Sequence, residues 1–356
     1  MITVANTAPA AVSFVRRRYV LPIGAGYAIL VALLVGSCLL SLSMGRFPTG
    51  RGEVVRFVLC TIGLGEMPRE RFDALFNVLV DIRLPRVLSA ALVGSCLATS
   101  GASLQAIFRN PLVSPSLMGV QAGAAFGAAL GMLLSSSEWV VQALAFGAGL
   151  AAVAFGVGVA SVFGRSATVM LILGGMISNA LFSSLLSLVK YVADPQNVLP
   201  SIVYFLMGTL SLSNLHQASR FSIPMVAGVA CLSLFGRALD AMSMGEDEAR
   251  SLGVPVHFIR LAVIALATLI SALSVSLAGI VGWVGLVVPH IVRLALGPSN
   301  RTLLLANALA GASFLILADC VGRTLVPTEL PIGILTELLG IPVFLLVLCR
   351  SRRAWT

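Results

Sequence analysis

Eight stretches of this chain, residues 19–45, 87–108, 110–137, 139–164, 166–189, 195–219, 221–236 and 261–289, contain no Asp, Glu, Lys or Arg. An α-helix rises about 1.5 Å per residue, so crossing ~30 Å of hydrocarbon takes about 20 apolar residues, and all but the seventh stretch exceed that length. Runs of this length satisfy their backbone in lipid as helices, which makes the chain an all-α, polytopic membrane protein. Composition agrees: of 356 residues 58% are hydrophobic and 10% charged, whereas a soluble chain carries roughly a quarter charged. A soluble enzyme, a disordered chain, a coiled coil and a secreted disulfide scaffold are excluded.

Ten spans are predicted near 20–43, 87–107, 116–134, 139–163, 167–189, 219–236, 261–280, 283–297, 302–321 and 331–349. They form one transmembrane domain over 19–350, with tails at 1–18 and 351–356. The sixth and eighth spans are short, and Val287-Val288-Pro289-His290 reads as a proline-broken span of the kind transporters use. The first uncharged run is 27 residues long, against ~7–15 in a cleaved signal, so it is expected to be retained. Arg16, Arg17 and Arg18 before the first span and Arg350, Arg352 and Arg353 after the last place both termini in the cytoplasm. Arg109, Arg165, Arg237, Arg250, Arg260 and Arg301 then fall on the same side. Segment 44–86 is expected outside, although it holds seven arginines against five acids. Apolar residues recur at helical spacing over 51–59 and 71–79, which predicts amphipathic helices on the outer interface.

The charged residues exclude further functions. Lys190 is the only lysine, and no glycine-rich run precedes it, so the chain holds no phosphate-binding loop and is not its own ATPase. The arginines sit in short clusters rather than on a stripe interleaved with aromatics, which does not describe a nucleic-acid surface. Six cysteines show no C-x-x-C pairing, and no H-E-x-x-H cluster is present. No disulfide, metal site, cofactor or intramembrane catalysis is expected, and His290 reads as an element of helix shape. Gly123, Gly127 and Gly131 give the third span a small-residue face for close helix packing.

Loop 237–260 is the most informative. Ser243 and Glu246 have capping-box spacing, Glu246, Asp247 and Glu248 load the start of a helix, Arg250 lies in its last turn, and Gly253 with Pro255 ends it. A helix of two turns is unstable alone in water, so this segment is predicted to dock on a partner.

Arg83-Leu-Pro-Arg86, Phe108-Arg-Asn-Pro-Leu112, Gly245 to Gly253, Gly282-Trp-Val-Gly-Leu-Val-Val-Pro-His290-Ile-Val-Arg293 and Pro327-Thr-Glu-Leu-Pro331 resemble, in order, motifs of the FecCD-type permeases. These are the membrane subunits of ABC importers for ferric siderophores, haem and cobalamin, and the resemblance runs from about residue 20 to 350. It implies a type II importer permease fold with an inverted repeat and pairing with a second copy or a paralogous permease. Two cytoplasmic ATP-binding subunits and an external substrate-binding protein would complete the assembly. It further implies an ATPase-coupling role for Glu246, Asp247, Glu248, Ala249, Arg250 and Leu252, and binding-protein docking by Arg83, Arg86 and Arg323. An i to i+4 pair between Asp319 and Arg323 is an equal reading of the last. The family's pathway would place Ala167 and Thr168 at a cytoplasmic gate and line the fifth span with Ser178, Asn179 and Ser183. Glu337 stands out independently, because an ionisable group inside a span costs ~2.5 kcal/mol or more. The expected cargo is a ferric siderophore, then haem, then cobalamin. The alternative is an ion-coupled secondary transporter using Glu337, Asp319 or Asp194.

Overall fold

The computed structural model describes residues 21–45, 47, 52–163, 168–211, 213–325 and 328–352, and among them all regular structure is helical. In chain order the α-helices are α1 (Ile23–Ser43), α2 (Glu53–Thr61), α3 (Arg69–Phe76), α4 (Leu84–Phe108), α5 (Val120–Leu134), α6 (Glu138–Phe163), α7 (Thr168–Val192) and α8 (Val198–Leu206). There follow α9 (Leu215–Leu234), α10 (Gly236–Met244), α11 (Glu246–Ser251), α12 (Val256–Ala278), α13 (Val284–Leu296), α14 (Asn300–Thr324) and α15 (Ile332–Arg352). Six described helices are long and apolar enough to cross a membrane, α9 and α10 form one further candidate bent by 47°, and α5, α13 and α15 are shorter apolar helices. Together they occupy the ten predicted spans.

Burial divides the bundle. α4, α12 and α14 are enclosed over most of their length, whereas α1, α6 and α7 bury only a minority of theirs. α4 and α14 run antiparallel in close contact, with Ser95 Oγ donating to Ala308 O at 2.9 Å. A Cβ on Gly94 would collide with the Gly311 carbonyl, and one on Gly311 with that of Gly94, so only glycine at both positions permits this crossing. Gly123, Gly127 and Gly131 bring α5 against the α6 backbone in the same way, so the small-residue face serves packing within the chain. α4 packs on α14 as α12 packs on α6, with α4 and α12 touching at the centre. That exchange of partners is what two related halves would produce.

Side-chain links fix the two ends of the bundle. Tyr27 at the start of α1 bonds Thr302 O at the start of α14, and Asp240 of α10 accepts from Ser299 Oγ at 2.9 Å beside the same helix start. α11 therefore lies at that end, and α2 and α3 at the other.

Three elements differ from expectation. The segment predicted as a separate interfacial helix over 71–79 instead belongs to one helix running from Arg69 to Phe108 through a π-helical stretch, Asn77–Arg83. Pro85 lacks an amide and its ring crowds the carbonyl of the preceding turn, and a widened turn there accommodates it. The uncharged run 195–219 contributes the short helix α8, whose buried Ile202 packs against Ala129, Val189 and Ala193. The capping box at Ser243 is not formed: Ser243 remains inside α10, its hydroxyl donates to Asp240 O at 2.7 Å, and Gly245 precedes α11 instead.

Candidate functional site

α11 is built to stand on the surface. Gly245 has φ of 153°, a backbone conformation that side chains rarely adopt, and the Glu248 carboxylate occupies the space its Cβ would fill. At the other end the amides of Val254 and Gly253 donate to Ala249 O at 3.0 Å and Arg250 O at 2.9 Å, with Gly253 left-handed. This is a Schellman closure, which satisfies the last carbonyls of a very short helix. Ala249 is buried as its foot, and Glu246 forms an ion pair with Arg260, which is buried on α12. Asp247, Glu248, Arg250 and Leu252 are exposed, Leu252 at 66%. The Arg250 guanidinium lies 3.6 Å from Asp247 and 3.7 Å from Glu246. The six predicted coupling residues thus split: Glu246 and Ala249 anchor the helix, and the other four face outward.

The three arginines at the opposite end are all buried and bonded within the chain. Arg83 donates from Nη1 to Leu42 O at 2.6 Å and from Nη2 to Phe47 O at 3.2 Å, closing the carbonyl end of α1, where a cation is favoured. Arg86 holds Asp319 through Nε at 2.8 Å and Glu329 through Nη1 at 2.8 Å. Arg323 approaches Asp319 at 3.1 Å and donates to Ser41 Oγ at 2.7 Å. The i to i+4 pair read in the sequence is therefore present, and Arg86 completes a triad around Asp319. Asp319 is accordingly committed to two guanidinium groups. Asp194 is an exposed carboxylate that accepts from Asn197 Nδ2 at 2.7 Å, a bond that holds its pKa below the usual carboxylate range.

The predicted pathway residues separate as well. Ala167 lies outside the described residues, and Thr168 begins α7 with its side chain also outside them. Ser178 is fully buried, its hydroxyl donating to Ala152 O at 2.6 Å, so it joins α7 to α6 rather than lining an open face. Asn179 and Ser183 are exposed on α7. Glu337 is exposed on α15 and borders a cavity of about 360 Å³ whose other walls include Ser114, Ser116, Gln121, Gly282 and Trp283. Trp283 has φ of 65°, uncommon for a residue other than glycine, and its ring meets Phe344 of α15 edge-on at 5.9 Å. Apart from Glu337, these cavity residues were absent from the predicted site. Their signal was the break in helical pattern at 110–118 and 279–283, which only a preceding expectation of discontinuous spans could have turned into a wall.

Comparison with known proteins agrees with this geometry. The chain is 37% identical to the molybdate import system permease of Haemophilus influenzae over 91% of its own length and 95% of the relative's. It is 39% identical to a probable iron chelatin transport system permease of Helicobacter pylori, covering 80% of this chain and 86% of the relative. A solved structure described as a metal-chelate type ABC transporter in an inward-facing conformation superposes with a TM-score of 0.81 at 34% identity, covering 92% of this chain and 99% of that one. This ancestry replaces the ion-coupled alternative, and neither Asp319 nor Asp194 is placed as an ion-coupling carboxylate would need. The profile of the FecCD transport family matches residues 32–350, and the chain belongs to that family as a permease subunit of an ABC importer.

Proposed function

We propose that this permease carries an iron chelate or corrinoid, a ferric siderophore first, haem second and cobalamin third, driven by separate ATPase subunits seated on α11. The exposed helix α11, closed at its end by the Gly253 turn, carries the reading. Its foot is buried at Ala249 and tied to α12 by the Glu246–Arg260 pair, so a push on its outer face reaches the base of a buried helix without deforming a loop. In this reading α11 is cytoplasmic and the α2 end faces outward to a substrate-binding protein, with Arg83, Arg86 and Arg323 supporting that landing surface from beneath. A second permease copy or a paralogue packs along the exposed faces of α7 and α15, so that Asn179, Ser183 and Glu337 line the passage between subunits, with Ala167 and Thr168 at its inner gate. The cargo reading draws on the iron chelatin relative and the metal-chelate type structure, while the molybdate relative supplies its strongest competitor.

Co-purification of the tagged chain with candidate ATPase and binding proteins, followed by ATP hydrolysis in proteoliposomes, tests the proposal. Loaded binding protein carrying a ferric siderophore, haem, cobalamin or molybdate is supplied in parallel. The ferric chelate is expected to stimulate hydrolysis most. Strongest stimulation by molybdate overturns the cargo, and failure to recover any nucleotide-hydrolysing partner overturns the docking role of α11.

A further inference from the structure

The cavity beside α15 has one charged side chain among the described residues that line it, Glu337. Its carboxylate makes no ion pair or hydrogen bond with another described residue, although an ionisable group kept within a membrane span is costly. Oε1 lies 3.3 Å from the point a Cβ on Gly282 would occupy, so the glycine leaves room for the carboxylate at the cavity wall. The other polar groups around it carry no charge and are partly engaged with the chain. The hydroxyls of Ser114 and Ser116 bond each other at 2.7 Å, and the Gln121 amide donates to Val281 O at 3.2 Å. Arg293 does not line the cavity, and its Nη2 donates to Gln105 Oε1 at 3.2 Å. An anion entering here meets a carboxylate and no cation, whereas a cationic or donor-rich surface meets an unengaged acceptor.

We infer that Glu337 selects cargo by charge, favouring chelates that present cationic or hydrogen-bond-donating groups and disfavouring free oxyanions. The inference deepens the importer reading above and rests on its placement of α15 beside the passage. If two copies of this chain form the passage, two such carboxylates face the cargo, which sharpens the discrimination. One unit of cargo charge at about 8 Å, with an effective dielectric near 20, changes passage by about tenfold to thirtyfold.

The assembled transporter is assayed with binding protein loaded with a monocationic ferric trihydroxamate, a neutral one, a trianionic ferric tris-catecholate, or molybdate. For each cargo the rate of Glu337→Gln and of Glu337→Lys is divided by that of the wild type, which cancels the binding protein's own preferences. The ratio is expected to rise from cation to anion by about tenfold for each unit of cargo charge in Glu337→Gln and further in Glu337→Lys. A ratio independent of cargo charge overturns the inference while leaving the importer reading intact. Equilibrium dialysis of the purified full-length chain against hexaamminecobalt(III) gives a readout that needs no partner. Retention by the wild type is expected to exceed that of Glu337→Gln about tenfold, and equal retention overturns the inference even if no cargo stimulates hydrolysis.

Discussion

The two charged ends of the bundle, both expected from the sequence to dock partners, behave oppositely in the fold. At the α2 end Arg83, Arg86 and Arg323 are each less than 10% exposed and bonded to carbonyls, a hydroxyl or carboxylates of their own chain. At the α11 end Asp247, Glu248, Arg250 and Leu252 stand clear of the protein on a helix of six residues. An arginine placed for an external carboxylate and one placed for an internal carboxylate have the same side chain, and what separates them is whether the chain supplies the partner. The first end is mainly architecture, while the second has an exposed outer face with no packing partner among the described residues.

Breaking the architecture should cost most. Arg86→Ala strips Asp319 of one guanidinium and leaves Glu329 without its partner. Removing one member of a buried charge pair costs about 3–5 kcal/mol, so detergent-solubilised protein should lose monodispersity or unfold at much lower temperature. An Arg86→Ala protein that melts like the wild type would remove the contrast and return the arginine to docking. Leu252→Asp should leave melting within about 0.5 kcal/mol of the wild type, because the side chain is exposed, yet weaken ATPase co-purification about tenfold. A large fall in stability would show that α11 is packed after all. The smallest effect is expected at Arg71, whose exposed pair with Glu53 at 2.7 Å should stabilise only slightly, and less at high salt. Thermal melts of Arg71→Ala at low and high ionic strength measure it, and salt-independent destabilisation would mean that the contact of its guanidinium with the Phe47 ring matters more than the charge.

Long uncharged runs made the spans legible, since bilayer thickness and helix rise leave few alternatives for them. The end of α11 was legible too, because Gly253 and Pro255 act within a few residues of the carbonyls they terminate. Its start was not. Ser243 had the right spacing, but α10 continues through it, and the helix begins after the glycine two residues later. Local pattern likewise disclosed Asp319 with Arg323, one turn apart, while Arg86 reaches Asp319 across 233 positions of chain through the α4–α14 packing. Ser178 shows the same limit: a hydroxyl on a span looks identical whether it faces a passage or a neighbouring backbone, and burial against Ala152 decides it.

The unbroken run from Arg69 to Phe108 has a mechanical meaning. At about 1.5 Å per residue its 40 residues form a rod of about 60 Å, twice the depth of the oily layer, with one end carrying the Phe57, Phe72 and Phe76 ring cluster and the other sunk in the most enclosed part of the protein. A weight settling on the aromatic end would be carried along one continuous helix, through the π-helical stretch at Asn77–Arg83, into the centre of the subunit.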